Sequence, residues 1–355
     1  MDQSVKKTSL PGSRFHLPRS PGFTRLVWRR LRRDRFAMAG LVVIALMFIL
    51  SWMAPVIANN RPIVMRGEDG LTFPALAQVK PLSWVLNYPE YFAYDFDVIR
   101  YDRSVAIIMP PIPYSPSGTN LDERLMPPGA GHPLGTDELG RDVLSRMIHG
   151  AGISLKIGFV AVGISLLIGL IVGALAGYYG GIFDIVLSRL IEVMICFPLL
   201  FLILAVIAFL PPSIFTIMVV IGITRWTDIA RYTRGEFMRL KEREFAEAAR
   251  ALGASDYKII FRHILPNSLA PVLVTATFGV ASAILIEAAL SFLGLGVQPP
   301  TPSWGGILSS FKNQDFAWWL TLFPGLAIFV TVTAYNLLGE GLRDASDPRV
   351  ALGED

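Results

Sequence analysis

Apolar residues in this sequence gather into long blocks set apart by shorter polar stretches. A bilayer core about 30 Å thick is spanned by about 20 apolar residues in a helix. Phe36–Ala58, Ile157–Tyr179 and Phe316–Leu338 reach that length without a charged residue. Leu190–Leu210 carries only Glu192, and Ser268–Leu293 carries only Glu287. Ser213–Thr224 is apolar but short, and continues through Arg225 and Trp226 towards the membrane surface. The pattern predicts an all-α membrane protein with six transmembrane helices. Its expected parts are an N-terminal tail (1–35), a first transmembrane helix (36–58), an extracytoplasmic segment (59–150), a transmembrane core (151–345) and a C-terminal tail (346–355).

Arginine placement orients the chain. Arg25, Arg29, Arg30, Arg32, Arg33 and Arg35 crowd the front of the first block. Positive charge beside a span favours the cytoplasmic side. Alternation then puts both termini and the 225–267 loop in the cytoplasm and 59–150 outside. The 225–267 loop carries nine Lys and Arg residues, which agrees independently. The first apolar block follows a long polar tail and exceeds the h-region of a signal peptide, so it reads as an uncleaved anchor.

Composition narrows the class. The chain is 53% hydrophobic and 17% charged, against about 25% charged in soluble domains. A net charge of +4 and a basic pI of 9.2 could suggest nucleic acid, but the arginines flank apolar blocks, so no nucleic-acid partner is expected. The one cysteine, Cys196, excludes an intrachain disulfide and reads as a buried small hydrophobe. His132 and His149 lack metal-ligand spacing and read as structural. No catalytic, metal or cofactor motif is found, and no G-x-x-x-x-G-K-[ST] loop is present for a nucleotide.

Within the spans, Gly169, Gly173 and Gly177 make two G-x-x-x-G steps, which predict a closely packed helix pair. Pro198 should kink its helix. An acid inside a span is costly and points to function. Glu192, Pro198, Glu287 and Ser291 are therefore candidates for a translocation path.

The most informative stretch is Glu244–Gly253. Phe245, Ala248, Ala249 and Leu252 recur at helical spacing and form one apolar face. Gly253 is placed to end the helix in a left-handed cap. Ser255 or Asp256 can cap a second short helix, Tyr257–Leu265, closed by Pro266. The face either docks a partner or packs under the chain's own helices.

Glu247-Ala248-Ala249, Gly253 and His263-Ile264-Leu265-Pro266 resemble the EAA loop of ATP-binding-cassette (ABC) importer permeases. The general pattern has Ile where His263 stands, and the His form resembles the peptide and nickel group. Leu134–Asp142, Ala288–Gly296, Pro302–Gly305 and Asn336–Asp344 also resemble that group, so the likeness covers most of the chain. It implies a type I ABC importer permease fold, of the second permease of dipeptide and oligopeptide systems. It further implies ATPase coupling through Phe245, Glu247, Ala248, Ala249, Leu252, Gly253, His263 and Pro266. The implied partners are a homologous first permease, two ABC ATPases that bind ATP and Mg, an extracytoplasmic binding protein and the bilayer of the bacterial inner membrane. The stretch from Asn60 to Ser117 is longer than in an ordinary oligopeptide member and resembles the branch that handles longer or modified peptides such as microcin C. It holds Trp84, Tyr88, Tyr91, Phe92, Tyr94, Phe96 and Tyr101, too aromatic for a linker, and predicts a small ordered insertion between the first two spans. A nickel or metal-complex permease and an ATP-independent secondary transporter are the competing readings.

Overall fold

Capping side chains set where the main helices begin. The computed structural model describes residues 23–67, 70–79, 106–211, 213–313 and 316–346. After the short helix α1 (Phe23–Leu31), Asp34 accepts hydrogen bonds from the Phe36 and Ala37 amides at 2.8 and 3.2 Å and starts α2 (Arg35–Ile57). Asp142 accepts from the Ser145 amide at 2.7 Å and starts α3 (Val143–Tyr179). Gly180, at φ +66°, ends α3. At about 1.5 Å per residue, α3 is about 55 Å long and outruns the bilayer core. It begins well before the apolar block that announced it, because 143–156 is polar enough to escape a hydropathy reading yet packs as helix.

Then come α4 (Gly181–Cys196) and α5 (Leu199–Ile207), bent by 86° across Phe197 and Pro198. The kink expected at Pro198 is thus a sharp corner. Only Ile191 of α4 is buried, and Cys196 is exposed, against expectation, because this helix stands apart from the core. Ser213 caps α6 (Ile214–Thr224), and α7 (Trp226–Lys241) follows directly after Arg225. α8 (Glu244–Ala251) precedes α9 (Asp256–Phe292). Finally α10 (Trp304–Ser309) leads to α11 (Trp319–Ser346).

Among the described residues, α2, α3, α9 and α11 are each long and apolar enough to cross a membrane, and the bent pair α4–α5 would make a fifth span. α6, with 11 residues, is too short alone. α3 is the central post. It packs against α2, α4, α6, α7 and α9, and the main core gathers Leu155, Ile157, Ile221, Ile284, Trp304 and Tyr335.

The glycine steps of α3 seat α7. A Cβ on Gly169 would lie 2.7 Å from Ile229 Cβ, on Gly173 2.5 Å from the Ala230 carbonyl, and on Gly177 2.6 Å from the Arg234 carbonyl. The close helix pair expected from the sequence is therefore α3 with α7. Arg234 forms a two-pronged ion pair with Asp184 and fastens the start of α4 to α7.

Outside the bundle, β1 (Val64–Gly67) pairs antiparallel with β2 (Gly70–Thr72) and with β3 (Ala106–Ile108). This small sheet occupies the expected insertion and qualifies the all-α expectation. The Asn59 amide ties it to the bundle through the Ile112 carbonyl at 3.0 Å. The aromatic run Trp84–Tyr101 lies outside the described residues. Next to the sheet, the Leu134–Asp142 segment forms a collar over the start of α3. Asp137 pairs with Arg141 at 2.7 Å and Arg146 at 3.5 Å. The His132 ring is held between Asp142 at 2.8 Å and Glu123 at 3.2 Å, and His149 Nε2 meets the Ala58 carbonyl at 2.8 Å.

Candidate functional site

α8 is a short helix held by few residues and bare on its outer side. Its anchor is Ala246, fully buried against Tyr178, Phe237, Leu240, Ile259 and Ile264. Tyr178, near the end of α3, donates its hydroxyl hydrogen to Asp256 Oδ1 at 2.6 Å. The end of α3 therefore grips the loop just after α8.

The helix closes in the manner the sequence indicated. Gly253 adopts φ +78°; its amide donates to the Arg250 carbonyl at 2.9 Å, and the Ala254 amide reaches back to the Ala249 carbonyl at 3.0 Å. Those two bonds make a Schellman cap, with Ala249 and Ala254 both against the anchor cluster. Nothing lies within 4 Å of a Cβ built on Gly253, so backbone conformation alone demands glycine there.

The outer side carries Leu252, 88% exposed, with Phe245, Ala248 and Glu247. Tyr257 and Phe261 extend it, their rings stacked at 4.6 Å. Of the predicted face, Phe245, Ala248 and Leu252 point outward together while Ala249 turns half inward. Ala246, absent from that prediction, is the true anchor. Its signal was its small size, which lets α8 lie close on α3 and α7.

The second short helix differs from expectation. Residues 256–264 run without a stop into α9, through a π-helical turn at Ile259–Ile264. Pro266 does not close a helix, because the wide turn before it relieves the clash its ring would make and its missing N–H is one the turn can spare. Ser255 sits at the cap position without a side-chain bond, and Asp256 is engaged by Tyr178 instead. His263 is half-buried within the π turn, its carbonyl accepting from Asn267 at 2.6 Å. α8 is thus strung between α7 and α9, two helices of the core.

The proposed path residues do not converge. Glu287 is fully buried near the end of α9 away from α8, not mid-span. The Ser154 hydroxyl on α3 donates to it at 3.0 Å and Ser291 at 2.7 Å, with Ser303 as a further partner. Ser291 in turn accepts from the Val297 amide at 3.0 Å. This network joins α3, α9 and the start of α10, so Glu287 and Ser291 lie sealed within this chain rather than along an open passage. Glu192 is exposed on α4 and pairs with Arg189. Pro198 marks the corner between α4 and α5.

Among the described residues, a bundle of long apolar helices carries one short helix, bare on its outer side, slung between two of them. Residues 169–352 match the family described as binding-protein-dependent transport system inner membrane component, and residues 22–68 match the N-terminal TM domain of oligopeptide transport permease C. The chain belongs to this family of ABC permeases, a multi-pass protein of the bacterial inner membrane and not an enzyme. It is 45% identical over 233 residues, 65% of its length and 77% of the relative's, to the dipeptide transport system permease protein DppC of Alkalihalophilus pseudofirmus. It is 33% identical over 349 residues, 98% of its length and 89% of the relative's, to the DppC protein of Bacillus subtilis. Among solved structures, an inward-facing conformation of the MetNI methionine ABC transporter aligns with a TM-score of 0.45 and 19% identity, covering 56% of this chain and 95% of that one.

Proposed function

We propose that this chain is the transmembrane permease subunit of an ABC importer that brings short peptides across the inner membrane. Family membership and the peptide-transport names of its relatives support the cargo class. The single observation that carries the mechanism is the bare face of α8 on a loop anchored to both α7 and α9. A separate ATPase subunit grips Phe245, Ala248, Leu252 and their neighbours. Closure of the ATPases on ATP moves α8, and α7 and α9 tilt with it. ATP and Mg belong to those partners.

The finer arrangement follows from the same reading. Two ATPases serve a heterodimer of this chain with a homologous first permease, and an extracytoplasmic binding protein delivers the peptide. α8 and both termini face the cytoplasm. The crossings number six, with α6 and α7 together making the fourth. The sheet sits outside as a lid or as a contact for the binding protein. The relatives' names favour short peptides over microcin C-like conjugates.

Co-purification tests the proposal. The tagged chain should bring down ATPase subunits in fixed ratio, and a peptide-loaded binding protein should stimulate their hydrolysis. Stimulation by a nickel complex alone would move the chain to the metal branch of its group. A complex without ATPases that still transports would make it a secondary transporter.

A further inference from the structure

Charged side chains beside the apolar middle of a membrane helix call for a partner or a purpose. The α6–α7 junction and the start of α7 place three there. The Ser165 hydroxyl of α3 donates to the Gly222 carbonyl at 2.8 Å, and Gly169 abuts Ile229, so Arg225, Asp228 and Arg231 stand level with the charge-free middle of α3. They line a cavity of about 250 Å³ together with Ser165, Thr275 and Ser282. That level is near the middle of α9 too, since its lining residues Thr275, Phe278 and Ser282 fall between its ends at Asp256 and Phe292.

The geometry at the helix break is unusual for a plain structural ion pair. Arg225 sits between α6 and α7 at φ −102° and ψ 7°, and Asp228 lies in the first turn of α7. Their charged atoms stand 3.3 Å apart, and the Asp228 side chain is more than half exposed in this chain. An open, singly bonded pair of this kind is weak, so either partner can trade it for a ligand charge. The pair holds one cation and one anion side by side, beside the Ser282 hydroxyl.

We propose that this cavity binds the free termini of a short peptide in transit. This deepens the reading of the chain as a peptide permease and rests on it. Arg225 takes the terminal carboxylate and Asp228 the terminal ammonium, in charge-assisted bonds that replace their own. Ser282 and Thr275 meet the peptide backbone between them.

The test uses the assembled complex in nanodiscs without ATP, with Cys196→Ala and Ser282→Cys. The rate of alkylation by N-ethylmaleimide reports access to the cavity. Dialanine at about ten times its dissociation constant should slow it about tenfold, since only the unoccupied site reacts. N-acetyl-dialanine amide, which lacks both charges, should leave it unchanged. Arg225→Gln should abolish protection by dialanine. Equal slowing by both compounds, no slowing, or no labelling overturns the site. Uptake of dialanine by the wild-type complex separates the two claims: uptake without protection refutes the site alone, and absence of uptake refutes the peptide reading.

Discussion

Adding one methyl group to Gly173 should weaken the bundle and uncouple it. A Cβ there would lie 2.5 Å from the Ala230 carbonyl oxygen and 2.6 Å from Thr233 Cβ. Atoms in ordinary contact stand about 3.5–4.0 Å apart, so α7 must retreat by about 1 Å. Overpacking of this kind costs about 1–3 kcal/mol. Alanine returns up to about 1 kcal/mol through its helix preference, leaving a net loss of up to about 2 kcal/mol. Gly163, on the same helix, has nothing within 4 Å of its Cβ position and serves as the control. Thermal unfolding of the purified complex should fall for Gly173→Ala and hold or rise for Gly163→Ala. Because α7 runs into α8, the same retreat shifts the coupling helix, and stimulated ATPase activity should drop more than basal activity. Equal melting of the two variants would refute the claim that backbone contact at these glycines seats α7.

Gly253→Val strains a left-handed position by about 1–2 kcal/mol and should reduce binding-protein-stimulated ATP hydrolysis without loss of membrane insertion; wild-type stimulation would contradict this. Leu252→Asp, on a residue 88% exposed, should leave thermal stability unchanged yet lose co-purifying ATPase, and retention of the ATPase would exclude this face as the dock. Glu287→Leu strands buried hydroxyls of Ser154 and Ser291 and should cost about 2 kcal/mol in thermal stability, whereas a role in lining the path would show instead as altered uptake by a stable protein. With Cys196 replaced by Ala, a cysteine at Ser255 should label only from the cytoplasm and one at Ser117 only from outside; labelling from one side breaks the orientation.

Features set by a single local rule were legible in the sequence. The apolar blocks announced the membrane helices, the glycine steps announced a tight pair, and Gly253 announced its own φ. What failed depended on partners distant in sequence. Glu287 looked like a path residue because the cost of a lone acid in lipid is plain, while Ser154 lies 133 positions away. Pro266 looked like a stop because nothing in the sequence marks a π turn. Ala246 was passed over because a small anchor and a small surface residue read alike.

The most direct test of the account is ATP-driven peptide uptake into proteoliposomes holding the complete transporter, with peptide-loaded binding protein on the outer side and ATP inside. Wild type should accumulate labelled dipeptide only with hydrolysable ATP and binding protein together, and Gly253→Val should assemble but accumulate far less. Uptake that persists with a non-hydrolysable ATP analogue, or that is indifferent to this loop, would contradict the claim that the chain couples ATP hydrolysis to peptide import through α8.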